Sequence, residues 1–291
     1  DWLAAVGGTT GHADMTEGFD YDSVCTAIDT ELYKLVALEL LAETGVTLCL
    51  NTLLVDAICE GTRLVGVITE SRGARQSNRE VLYAHSFVDA TGYGDLAAYA
   101  GADFTEPNDY PVANSIGVGG VSLERYRAFL ETHDALTQLA VGPRSGKDGQ
   151  IVRLDGRARQ LPDGFHQAAK AIGMSMVTTS TYDDYFMFIK LNLKLPVSPT
   201  DRDAVAEAEV ELRRRQARAV ELFRAYVPGC EHAFIARTSP SLCIRRGRRI
   251  ACDYDMTLED VLEGRHFDDE VFVYGFHDSA PRLQIRDGGT Y

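Results

Sequence analysis

Residues 85–104, HSFVDATGYGDLAAYAGADF, constrain the fold more than any other stretch of this chain. An apolar run ends in Asp89, Ala90, Thr91 and Gly92, and a helix-like segment starts almost at once at Asp95. The pattern predicts a strand, a tight turn and a helix in direct succession. Glycines at 92 and 94 permit positive φ or close backbone approach. The first-turn amides of the following helix carry partial positive charge and suit an anion. Asp95 lies in that first turn, where an acid also favours the helix itself. On chemistry alone, a ligand site and a well-capped turn are equally good accounts of these residues.

The surroundings set the fold class. DTELYKLVALELLAETG predicts a helix started by Asp29 or Thr30 and ended by Gly45. Leu32, Leu35, Val36, Leu40 and Leu41 give it a broad apolar face, which predicts a mostly buried helix. VTLCL, TLLVDAIC, LVGVITE and EVLYAHSFVDA read as strands, the last three separated by turn-like breaks. A helix followed by a strand suggests an α/β unit, and the hairpin-length gaps suggest an attached antiparallel meander. From Pro107 to about Thr200 the pattern is partly β-sheet. PVANSIGVGGVS and MSMVTTSTYDDYFMFIKLNLKL read as strand there, and LERYRAFLETH as a short helix.

A long helix lies within 198–229, with Thr200 and Asp203 resembling a capping box at its start and Pro228-Gly229 as its stop. Glu209 before Arg213 and Glu211 before Arg215 have the favourable four-residue spacing. At 1.5 Å per residue this helix is about 39 Å long. SPSLCIRRGRRIAC reads as strand, and TLEDVLEG as a short helix opened by Thr257 and closed by Gly264.

Composition narrows the function classes. The 291 residues are enough for one large domain or two ordinary ones, and 45% apolar content supports a sizeable core. The net charge of −14 argues against a general nucleic-acid binder. No apolar run approaches the roughly 20 residues of a membrane span. The six cysteines are scattered without a C-x-x-C pair, which predicts buried free thiols in a reducing, cytoplasmic setting. The seven histidines lack H-x-x-x-H spacing, so no metal site is expected.

Two glycine-rich phrases fail as dinucleotide loops. In LAAVGGTTGHADM, Gly7, Gly8 and Gly11 miss the G-x-G-x-x-G spacing, and GVGGVSLERY has Ser122 at the third position. CIRRGRRI is more promising. As a strand it places Arg246 and Arg248 on one face and Arg245 and Arg249 on the other. Such guanidinium groups suit carboxylate recognition, and they equally suit ion pairs with Asp253, Asp255, Glu259 and Asp260. His277 beside Asp278 suits proton transfer or a plain surface turn.

Taken together, KLVALELLAETGV, LVDAI, GVITE, DATGYGDLA and CIRRGRRIACDYDMTLEDVLEGRHFDD resemble, in order and approximate spacing, the FAD-dependent oxidoreductases that carry D-A-T-G-D-G-D-L-A. The similarity is good over 28–104 and 227–291 and weak between. It implies an α/β fold: a partial Rossmann-like FAD-binding domain with a β-meander (1–106), an inserted α+β substrate domain (107–250), and a segment returning toward the FAD domain (251–291). It implies non-covalent FAD and a small-molecule substrate, with no nucleic-acid partner. Val55 would bring main-chain groups to the adenine. Ala90, Thr91 and Gly92 would lie along the adenosine or pyrophosphate, and Asp95 would steady the turn. Arg245, Arg248 and Arg249 would lie on the substrate side of the flavin, with His277 or Tyr254 moving the proton.

Tyr93 stands where the family often has Asp, and RRG where it often has RET, which weakens a fixed role for Arg246. Two other classes fit less well. One is a flavoprotein subunit of the succinate/fumarate type, which would need a partner's iron–sulphur cluster and has no cluster motif here. The other is a non-catalytic α/β binding protein. The resemblance also implies that the glycine loop lies upstream of Asp1 and an A-G-R segment downstream of Tyr291. The 291-residue chain by itself is therefore expected to purify colourless, which visible absorbance checks; stoichiometric flavin would contradict that expectation.

Overall fold

The computed structural model describes residues 2–14, 24–73, 78–106, 110–143, 150–174, 176–195, 198, 200–244, 246–263 and 265–270. The first part begins with α1 (Trp2–Ala5) and a hairpin of β1 (Thr9–Asp14) and β2 (Val24–Ile28). Helix α2 (Thr30–Glu43) follows, capped by the Asp29 carboxylate, which accepts from the amides of Glu31 and Leu32. Gly45 ends it at φ 75°, a conformation that glycine adopts freely. The expected meander forms from β3 (Thr52–Glu60), β4 (Arg63–Ser71) and β5 (Arg79–Tyr83), all antiparallel. Then come α3 (Asp95–Tyr99) and β6 (Phe104–Thr105).

The second part is built on β7 (Tyr110–Gly119), α4 (Leu123–Thr132), β8 (Leu136–Pro143), β9 (Gln150–Arg157), α5 (Asp163–Ala171), β10 (Met176–Tyr182), β11 (Tyr185–Leu195), α6 (Arg202–Tyr226), β12 (Phe234–Thr238) and β13 (Cys243–Ile244). Its seven-stranded antiparallel sheet has the order β12-β7-β11-β10-β9-β8, with β13 also on β7. The chain then reaches β14 (Arg249–Ile250), paired with β6, and α7 (Leu258–Glu263). No helix among the described residues is long and apolar enough to cross a membrane.

The hydrophobic core lies in the second part, between Val112 and Leu242. Helix α6 packs on β7 and β11 and contributes Leu212, Ala219 and Phe223, all fully buried. Phe223 sits among aromatic neighbours, with ring centroids 6.0 Å from Phe186 and 6.2 Å from both Tyr126 and Phe165. Its polar face carries the two expected ion pairs, Arg213–Glu209 at 2.6 Å and Arg215–Glu211 at 2.9 Å. The N-cap is Asp201 rather than Thr200, because the Asp201 carboxylate reaches the amides of both Asp203 and Ala204 at 3.0 Å.

Helix α2 departs from expectation. Only Val36 is buried, while Leu35 is 61% exposed and Leu38, Leu40 and Leu41 are exposed as well. Its apolar residues encircle the helix, and among the described residues the helix that packs on it closely is short α1. Residues 46–49 and 84–90 are not strand either, and Val88 is 88% exposed. Their composition favours strand, but strand requires a partner, and no described residue pairs with them. Cys49, Cys59, Cys243 and Cys252 are free and exposed, which overturns the expectation of buried thiols. Cys230 alone of the described free thiols is buried, and burial pushes its pKa up to about 12.

Polar contacts pin α2 to the sheet. The Tyr182 hydroxyl donates to Asp29, the residue that caps α2. Arg237 on β12 pairs with Glu31 at 2.8 Å and donates to Thr30 Oγ1 at 3.3 Å. The contrast in burial gives a direct prediction. Phe223→Ala should cost about 3–5 kcal/mol in urea unfolding, by losing both contacts and packing. Leu41→Ala, at an exposed position, should stay within about 0.5 kcal/mol.

Candidate functional site

The turn at 89–95 is held by its own side chains. Asp89 Oδ1 accepts from the Thr91 amide at 3.0 Å and the Thr91 hydroxyl at 2.7 Å, and Oδ2 accepts from the Ala97 amide at 3.0 Å. Thr91 Oγ1 in turn accepts from the Asp95 amide at 2.9 Å. Asp89 and Thr91 therefore cap α3 from a distance, since its N-cap, Gly94, has no side chain to do so. Burial raises the Asp89 pKa, but the bonds from Thr91 and from the amides of Ala97 and Leu96 outweigh it and hold the carboxyl below its ordinary value. The amides expected to receive an anion are already bonded within the protein. The open side of the turn is its backbone: Ala90 and Gly92 are exposed, and a Cβ on Gly92 would meet nothing within 4 Å.

Helix α3 packs against β3. There the ladder to β4 slips between Leu54 and Asp56, so Val55 stands as a bulge without a register partner. A bulge frees main-chain groups from the ladder. Half-buried Val55 thus lies on the strand that α3 packs against, and the open backbone of 90–92 leads into α3. This arrangement fits a flat, neutral group held by main chain better than it fits a bare phosphate.

The arginine segment is not a continuous strand. Only β13 and β14 are strand, so the alternation that paired Arg246 with Arg248 does not apply. The cause is close packing on the turn. A Cβ on Gly247 would lie 2.5 Å from Tyr93 Cα, and one on Gly94 would lie 2.8 Å from Ile250 Cδ1. Between them, Arg248 donates from its amide and from Nη1 to the Tyr93 carbonyl, each at 3.3 Å. Nη1 also reaches Asp95 Oδ1 at 2.5 Å. Its Nε lies 3.5 Å from Glu106 Oε1 but is buried without a hydrogen bond, and its guanidinium stacks 5.2 Å from the Phe104 ring centre.

The other candidates are dispersed. Arg249 is exposed and pairs with exposed Asp255 at 2.9 Å. The Tyr254 hydroxyl donates to Asp260 at 2.5 Å. Asp260 also accepts from the amide and hydroxyl of Thr257 and from Arg265. The Thr257 and Tyr254 bonds hold Asp260 well below the usual carboxylate range, and the same contact raises the Tyr254 phenol. Arg245 and His277 lie outside the described residues. Sequence reasoning gave Asp89 no role of its own and left out Gly247 and Glu106. An acid two residues before a threonine, just ahead of a helix, was the available signal for Asp89.

A pH dependence follows from Asp89. A lowered folded pKa means that its contribution to stability is present above the ordinary carboxyl pKa and is lost as pH falls through the folded value. The Ala97 amide resonance should titrate with a midpoint below about pH 3.9. In Asp89→Asn that titration should vanish, and helix α3 should lose protection at neutral pH.

Comparison with curated proteins and with solved structures found no match. A family model described as FAD dependent oxidoreductase matches residues 3–278. Every strand pairing described above is antiparallel, so the Rossmann-like character of the fold rests on that match. With nearly the whole length covered, the chain belongs to the FAD dependent oxidoreductase family, which makes FAD its cofactor.

Proposed function

We propose that this chain provides the adenosine-side contact of an FAD site, and the sheet that carries the substrate, in an enzyme moving a hydride between a small organic substrate and flavin. One observation carries the reading: the unpaired bulge at Val55 lies on the strand against which α3 packs, and the open backbone at Ala90 and Gly92 leads directly into that helix. Main-chain groups at Val55 would meet the adenine edge, and residues 90–92 would lie along the adenosine. Thr91 and Asp95 would keep the turn in shape through their hydrogen bonds. Residues 1–106 would hold the cofactor and 107–250 the substrate, with the return toward the cofactor under way by Gly247.

The bound flavin supplies the redox chemistry; the protein orients the reactants and sets the electrostatics. Arg249 is the arginine best suited to a substrate. Its present partner is an exposed carboxylate, and such pairs are weak enough for a substrate anion to replace. The guanidinium would bind a carboxylate or stabilise negative charge developing on the substrate. Tyr254 keeps its proton through neutral pH, which suits a donor and not a base. His277 beside Asp278 would take the base role, with Arg245 flanking the substrate.

The experiment uses the full-length protein under anaerobic conditions, challenged with carboxylates, sugars and ring ketones. It should carry FAD and be bleached by one of these classes. Arg249→Met should slow single-turnover bleaching at least about tenfold with flavin content unchanged. Flavin-free full-length protein would sink the enzyme reading in favour of a non-catalytic scaffold. An unaltered rate in Arg249→Met would remove that arginine from the site.

A further inference from the structure

We infer that Arg248 is a positioning residue: it locks the cofactor-side turn in its binding shape, so that cofactor affinity depends on the return segment 247–250 being docked. This rests on the FAD reading above. It also reassigns Arg248, which the sequence placed among the substrate-side arginines.

Residues from both sides of the second part meet at one place. Arg248 arrives from beyond β13, whereas Tyr93, Asp95, Phe104 and Glu106 all precede β7. Its side chain is 15% exposed. It bonds the turn through a carbonyl and a carboxylate, faces a second carboxylate and covers an aromatic ring, so the guanidinium has little surface left for a substrate. Glu106 is fixed in turn by the Thr200 hydroxyl at 2.9 Å, just ahead of α6. The contacts on either side require close fit. Gly247 has no room for a side chain against Tyr93, and Ile250 fills the space over Gly94. Gly92 and Gly94 sit at φ 82° and 68°, where glycine has no side chain to restrict its backbone, so contacts from outside the turn add to the hold of Asp89 and Thr91. Arginine suits this task because its planar fork addresses a carbonyl and a carboxylate together, which a lysine ammonium does less well.

The test uses full-length wild type, Arg248→Met, Arg248→Lys, Asp95→Asn and the double variant Asp95→Asn/Arg248→Met. Arg127→Met, a surface change on α4, is the control. Two readouts are taken: amide hydrogen exchange in FAD-free protein, and FAD affinity from quenching of flavin fluorescence. In Arg248→Met, exchange across 91–100 should rise at least about tenfold while 110–143 stays protected, and FAD should bind at least about tenfold more weakly. Arg248→Lys should recover part of both effects. The double variant should be little worse than either single variant, because both remove the same contact. If Arg248→Met proves hard to fold, Asp95→Asn alone should reproduce both changes.

Unchanged exchange at 91–100, additive effects in the double variant, or loosened exchange with undiminished FAD affinity would each overturn the proposal. Equal effects in Arg127→Met would do the same. Wild-type protein that binds no FAD defeats the cofactor reading itself and takes this proposal with it. Failure confined to the variants overturns the positioning role alone.

Discussion

The structure depends on what strand β7 accepts along its two sides. On one side it pairs with β11 over nearly its whole length. On the other it receives β12 and then β13, so the chain from Phe234 to Ile244 retraces β7 in the opposite direction. Two glycines make this possible. A Cβ on Gly117 would lie within 2.1 Å of the Tyr185 hydroxyl, and one on Gly119 within 2.7 Å of the Phe234 ring. Without side chains at these positions, the aromatic groups of both neighbouring strands can lie across β7. The retracing then continues beyond the sheet, since β14 pairs with β6 at nearly the same offset. Register along β7 therefore determines where residues 247–250 arrive.

That delivery explains why the turn after residue 88 needs so few partners of its own. Asp89 and Thr91 satisfy the amides of α3 locally, which fixes the helix start but leaves two left-handed glycines in the loop. The returning chain supplies the rest through Gly247, Arg248 and Ile250. A short turn is thus held by contacts more than 150 residues apart in sequence. Local hydrogen bonds set the shape, and a long-range docking keeps it.

Legibility in the sequence followed the range of the forces involved. Helix α6 was readable because its signals are local: four-residue ion pairs, an acidic start and a Pro-Gly stop. The ends of α2 and the meander were readable for the same reason. Its burial was not, because apolar residues record a tendency to be covered and not the presence of a cover. The arginine run was misjudged because alternation assumes an uninterrupted strand, and Gly247 breaks that strand to fit against Tyr93. The match of DATGYGDLA to a cofactor family was visible. Its meeting with Arg248 was not, because that contact is created by the route of the intervening sheet.

The two parts of the molecule differ in how they are held. The seven-stranded sheet encloses a continuous core from Val112 to Leu242, in which buried side chains pack against one another as in a protein interior. Among the described residues, the elements before β7 have no comparable interior. Leu53 is 71% exposed and Val88 88%, and α2 carries apolar residues on every side with only Val36 buried. Besides the packing of the β1–β2 hairpin on β8 and β9, what holds these elements in the described residues is polar and specific: Asp29 to Tyr182, Glu31 to Arg237 and Asp95 to Arg248. Each of the three joins residues before β7 to the sheet or to the chain leaving it. Rigidity at the 89–95 turn is therefore borrowed from the core of the second part, and a lesion in that core would reach the turn through Arg248.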